Sequence, residues 1–153
     1  MAYLDIAKGE SVQVDNSLCF SGLLLAGANN VLKEMSVPDG MENGILTARE
    51  IASMDFRGTD MVVLSACQTG LGQLREEGVF GLQRGFKKAG VHSLLMSLWS
   101  VSDNATQIIM TAFYEGLASG KTKIQAFRDA QRTVRENGFT DPFYWASFVL
   151  LDD

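Results

Sequence analysis

The segment Ser65-Ala66-Cys67-Gln68-Thr69-Gly70-Leu71-Gly72 follows directly on the apolar run Met61-Val62-Val63-Leu64. A thiol placed just past a short β-branched run, with small, polar and glycine residues after it, suits a nucleophile presented at the end of a buried strand. Spacing tests three chemistries. A phosphatase loop needs an arginine six residues after its cysteine, and Gln73 stands there, with Arg75 the nearest arginine. A nucleophile elbow needs glycine or another small residue on either side at two positions' distance, because the strand-to-helix turn is tight, and Ser65 and Thr69 fit it poorly. Dinucleotide and P-loop sites need a fixed glycine pattern, for which Gly70-Leu71-Gly72 alone is insufficient. A buried structural cysteine is the competing reading, since free cysteine is among the most buried residue types, and at this level both stand.

The rest of the composition narrows the chemistry further. Cys19 and Cys67 are the two cysteines, they form no Cys-x-x-Cys pair, and His92 is the one histidine. A disulfide framework and a zinc site of the usual kind are thereby excluded, and no cofactor is expected. Cys19 has no motif around it and is read as structural. At 153 residues and 46% apolar, the chain is expected to form one domain, residues 1–153. Its net charge of -5, with basic residues scattered apart from Lys87-Lys88, argues against nucleic acid as a partner. No window reaches the roughly 18 uninterrupted apolar residues of a membrane span, and the N-terminus lacks the layout of a secretory signal, so a cytoplasmic, membrane-free protein is expected.

The elements that would position Cys67 can be read from periodicity and caps. Gly22 to Ala26 reads as a strand entering a turn at Gly27-Ala28-Asn29-Asn30. Residues 31–44, with Pro38-Asp39-Gly40 and Asn43-Gly44, read as a flexible loop. Thr47 and Glu50 have capping-box spacing, which starts a short helix near Ala48. Residues 61–64 fit a strand buried on both faces. Val79, Leu82, Phe86 and Ala89 fall on one helical face that Gly90 ends. Residues 91–101 read as a second strand. Ser102-Asp103-Asn104 offers caps for a helix carrying Ile108, Ile109, Ala112 and Leu117, and Thr122 with Gln125 caps another that Asn137-Gly138 ends. Residues 144–151 read as a last strand after Pro142. Strands alternating with amphipathic helices imply an α/β fold, a mostly parallel sheet with helices on both faces, and ligands beyond the carboxyl ends of its strands.

A fourth chemistry, that of a thiol peptidase, fits Ser65 to Gly70 better. The caspase signature Gln-Ala-Cys-(Arg/Gln/Gly)-Gly is near it without being identical. SACQTGLG, EEGVFGLQRGFKKAG, LLMSLWSVSDNAT and YWASFVLL, with the earlier SGLLLAGANN and DGMENGILTAREI, together resemble the CHAT domain, a bacterial family related to caspases and separase. The resemblance runs from about Ser21 to Leu151.

The resemblance implies a caspase-like sheet, truncated on its N-terminal side, and a cysteine-histidine dyad acting on a protein or peptide substrate, often downstream of tetratricopeptide repeats. It makes Cys67 the nucleophile. The family's histidine lies in a His-Gly pair upstream of the SGLLLAGANN block, where this chain has none; His92, at the start of the LLMSLW strand, is expected at the opposite end of the sheet as a structural or surface residue. The isolated chain is therefore expected to be inactive, and the parent protein active. Asp103 resembles the acidic residue of separase-like pockets that accepts a basic side chain, a role weighed equally against helix capping. Trp99 is expected either to line that pocket or to lie in the core. Glu76-Glu77 reads as a solvated turn or an acidic loop near the cleft. A non-catalytic interaction module is the alternative function, and an exposed sheet edge could pair two copies into a homodimer.

Overall fold

Ser93–Ser97 is a strand whose five residues are all buried, and two cores meet across it. The computed structural model describes residues 3–6, 10–13, 18, 21–29, 33, 43–65, 77–100 and 102–152. Along these the elements run β1 (Tyr3–Ile6), β2 (Glu10–Gln13), β3 (Gly22–Leu24), β4 (Ile45–Thr47), α1 (Ala48–Ile51), β5 (Met61–Leu64), α2 (Glu77–Lys88), β6 (Ser93–Ser97), α3 (Asp103–Ala118), α4 (Lys123–Glu136), α5 (Pro142–Trp145) and β7 (Phe148–Asp152). β1 pairs with β2 and β3 with β4, each antiparallel, and β5, β6 and β7 form a three-stranded sheet in that order.

The alternation of a strand's side chains explains how one strand serves two cores. Leu95 points to one face, where it joins Ile109, Phe113, Phe127, Val134 and Phe148. Leu94 and Met96 point to the other, among Ala48, Ile51, Leu82, Phe86 and Val91. The flanking strands keep the same period: Met61, Val63 and Leu150 pack on the first side, and Val62, Leu64, Val149 and Leu151 on the second. Helices α3 and α4 thus cover one face and α1 and α2 the other, the mixed α/β arrangement with helices on both faces.

The sheet is mixed, where a mostly parallel one was expected. β5 and β6 are parallel, with Leu64 opposite Met96, whereas β6 and β7 are antiparallel, with Ser97 opposite Phe148. The connection explains the reversal. One helix carries the chain back to the start of a strand, but two successive helices, α3 and α4, return it to the end where β6 finished. The next strand must then run the other way.

The helical hairpin closes tightly because Gly116 has no side chain. A Cβ there would lie 2.8 Å from that of Ala126, so the two backbones meet where any larger residue would hold them apart. Phe113 and Phe127 meet edge to face beside this contact, with centroids 6.4 Å apart. The base of the sheet is tied by polar groups. Lys123, at the start of α4, donates to Asp60 Oδ1 at 2.7 Å and to Ser93 Oγ at 2.8 Å, and the Ser93 hydroxyl donates to Asp152. One ammonium thereby links the residue before β5, the first of β6 and the last of β7.

Local signals set the boundaries. The Thr47 hydroxyl accepts from the Glu50 amide at 3.2 Å while the Glu50 carboxylate accepts from the Thr47 amide at 2.7 Å, the expected capping box, and Thr122 with Gln125 repeats it on α4. Gly90, at φ +97°, ends α2 and carries the chain into β6. The last strand starts later than expected. Asp141 caps a helical turn with Pro142 in its first positions, so residues 142–145 are α5 and only Phe148–Asp152 is strand. β3 and β6 are likewise shorter than the expected 22–26 and 91–101. Most of the expected 31–44 loop lies outside the described residues, as do Cys19 and Glu76.

Two measurements check this account. Phe113→Ala, which empties a fully buried position between α3, α4 and β6, is expected to lower unfolding stability by about 3–5 kcal/mol in urea titration. The Thr47 amide, and then its hydroxyl, hold the Glu50 carboxyl below the ordinary glutamate range. A depressed folded-state value means that the carboxylate stabilises the fold above the unfolded-state pKa and ceases to as pH falls through the folded one. Glu50→Gln is therefore expected to be less stable than the parent near neutrality, with the gap closing on acidification.

Candidate functional site

Parallel pairing decides which edge of the sheet can hold chemistry. Because Leu64 and Met96 stand opposite one another, β5 and β6 end at the same edge, and the chain leaves there through Ser65 on one side and Leu98-Trp99-Ser100 on the other. Cys67 itself lies outside the described residues. His92 stands just before β6, exposed, at the opposite edge, beside the Lys123 link; its backbone carbonyl accepts from Lys87 Nζ at 2.7 Å. Its place is the one expected from its position in the chain.

The segment after β6 is built in detail. Leu98 donates its amide to the Ser147 carbonyl at 2.7 Å, continuing the ladder with β7 past the last strand residue. Trp99 Nε1 donates to the Phe143 carbonyl at 2.9 Å. Its ring stacks on that of Phe143, with centroids 6.2 Å apart and planes 26° off parallel. Such an aromatic pair contributes about 0.5–1.5 kcal/mol beyond the area it buries. Trp99 keeps 37% of its surface and Phe143 50%, so the pair forms an accessible aromatic face, and the core reading of Trp99 does not hold.

Asp103 is exposed on the first turn of α3, and it is not the cap. Ser102 caps, its hydroxyl accepting from the Ala105 amide at 3.3 Å, and Asp103 is the first helical residue. Its carboxylate stands at the positive end of the helix dipole, a favourable place for a negative charge. Trp99, on the connection from β6 to α3, and Asp103, at the start of α3, thus both lie at the edge where β5 also ends.

Phe143 and Ser147 are the residues that the sequence reading passed over. Asp141-Pro142 was the signal, since aspartate followed by proline marks a helix start and puts Phe143 in a helical turn. Elsewhere, an open groove of about 340 Å³ runs along α4 between Lys121, Gln125, Arg128, Asp129 and Arg132. Lys121 and Arg132 both engage Asp129 there, and the Lys121 hydrogen bond at 2.8 Å holds the Asp129 carboxyl below its usual range. Among the described residues no group of three or more His, Cys, Asp or Glu could hold a metal ion, and no helix is long and apolar enough to cross a membrane.

The chain belongs to the CHAT domain family, whose model matches residues 9–153. Tetratricopeptide repeat protein 28 of Homo sapiens is 32% identical to it over 108 residues, and that of Mus musculus 32% over 109. Each alignment covers 70% of this chain, which spans about 4% of the length of these curated relatives. No solved structure matches.

The two neighbouring side chains at the start of α3 are expected to behave differently. Ser102→Ala should cost about 1 kcal/mol through loss of the cap. Asp103→Asn should cost only about 0.5 kcal/mol, the scale of an exposed charge at a helix end. Urea denaturation of both variants checks the assignment.

Proposed function

We propose that this chain forms the cysteine-bearing part of a caspase- and separase-type endopeptidase domain, residues 1–153, within a longer protein that carries tetratricopeptide repeats upstream. The observation that carries this reading is the CHAT family match, which includes the intact Ser65-to-Gly72 segment around Cys67. The geometry supports it. β5 and β6 leave the sheet at one edge, and the carboxyl ends of parallel strands are where such folds bind their ligands.

In the proposed reaction the Cys67 thiol gives its proton to a histidine supplied from upstream of this chain, and the resulting thiolate attacks the scissile carbonyl carbon. That histidine gives the proton to the leaving amine as the C–N bond breaks, leaving a thioester on Cys67. Water then attacks the thioester, the acid is released and the thiol is restored. A free thiol, with a pKa near about 8.5, is only slightly ionised at neutral pH, so the dyad partner is required. Asp103 would accept the guanidinium or ammonium of a basic residue just before the cleaved bond, with Trp99 alongside its aliphatic stem.

A second reading, a non-catalytic interaction module of the same fold, is favoured by His92 being the sole histidine and standing exposed at the far edge. Cleavage distinguishes the two. The parent protein, incubated with a peptide library, is expected to cut after Arg or Lys, to lose all cutting with Cys67→Ala, and to lose the basic preference with Asp103→Asn. The 153 residues alone are expected not to cut. Cutting by the isolated chain would overturn the dyad assignment, and no cutting by the parent protein with its repeats engaged would favour the interaction module.

A further inference from the structure

The accessible ring of Phe143 has no obvious reason to be aromatic if α5 only connects α4 to β7. It is half-exposed. Its ring stacks on Trp99 and meets Tyr144 edge to face, and its own carbonyl accepts the Trp99 Nε1 hydrogen bond. The stack and the hydrogen bond fix both the plane and the rotation of the indole, since a stack alone leaves the ring free to turn about its normal. Together with the Leu98-to-Ser147 bond they hold the residues after β6 against the α5 corner at three points.

The corner is itself braced. Asp141 Oδ1 accepts from the Phe143 amide at 2.8 Å, and the Ser147 hydroxyl donates to the Tyr144 carbonyl at 3.0 Å. On its other side Tyr144 meets both Phe143 and Phe139 edge to face. A rigid turn thus presents one aromatic ring to a segment that has left the sheet.

We propose that Phe143 is a positioning residue: through Trp99 it holds the β6–α3 connection in the one orientation that presents Trp99 and Asp103 to a basic side chain. This rests on the endopeptidase reading above for its consequence in catalysis, though the clamp on Trp99 stands independently. Because the clamp acts on the binding segment and not on the thiol, its loss should weaken substrate capture more than turnover.

The test uses the full-length protein and an arginyl aminomethylcoumarin peptide. Phe143→Leu, which keeps the bulk and removes the stack, is expected to raise KM about five- to tenfold with kcat little changed, and Phe143→Tyr to restore it. Phe139→Ala, which loosens the same corner without touching Trp99, should leave KM near that of the parent. An unchanged KM in Phe143→Leu, or equal losses in Phe143→Leu and Phe139→Ala, would overturn the proposal. Should the parent protein cleave nothing with its repeats engaged, the endopeptidase reading fails by itself and fluorescence decides the clamp. In a Trp145→Phe background Trp99 is the sole tryptophan of this chain, and the Trp145→Phe variant of residues 1–153, inserted in the parent with its other tryptophans replaced, reports on it. Phe143→Leu should then red-shift Trp99 emission and raise its quenching by acrylamide; an unaltered spectrum and quenching would sink the proposal.

Discussion

Burial of β6 on both faces is the constraint from which the described structure follows. A strand with apolar side chains facing both ways must be covered twice, and each covering layer then needs its own helices. Leu94 and Met96 require α1 and α2, while Leu95 requires α3 and α4. Both layers pack on that one strand, so the two cores are coupled through its backbone. The Lys123 contacts fasten the base of this assembly by joining all three strands to the start of α4.

Tight fastening at the base contrasts with the opposite edge of the sheet. At the base, Ser93 is buried and its hydroxyl is engaged by both Lys123 and Asp152. At the other edge Trp99, Ser100, Ser102 and Asp103 are exposed, held by a cap, a stack and two hydrogen bonds. The division follows from strand direction: where parallel strands end, their connections must leave the sheet, and departing backbone is free to present side chains to a ligand.

Much of the architecture was legible wherever one local signal outweighed the rest. Both capping boxes, the strand at residues 61–64 and the glycine stop at Gly90 were readable because each depends on a few neighbouring residues. The readings that shifted had competing local signals. Residues 144–151 combine aromatic and β-branched residues that favour strand with an Asp141-Pro142 start that favours helix, and the cap won for the first turn. Asp103 and Ser102 are both good caps, and composition alone does not choose between them. Trp99 was legible as a residue of interest, but its partner was not, because Phe143 lies far along the chain and only folding brings the rings together.

The sequence by itself determined β5, β6 and helices α1 to α4, their apolar faces, the family and the identity of the cysteine-bearing segment, since these depend on residue order and short-range periodicity. Tertiary structure alone decided that β7 runs antiparallel to β6, that one lysine joins three strands, and that α5 seats the indole after β6. Those are contacts between residues distant in the chain. Their geometry is set by how two helices return the backbone to the sheet, which no local pattern encodes.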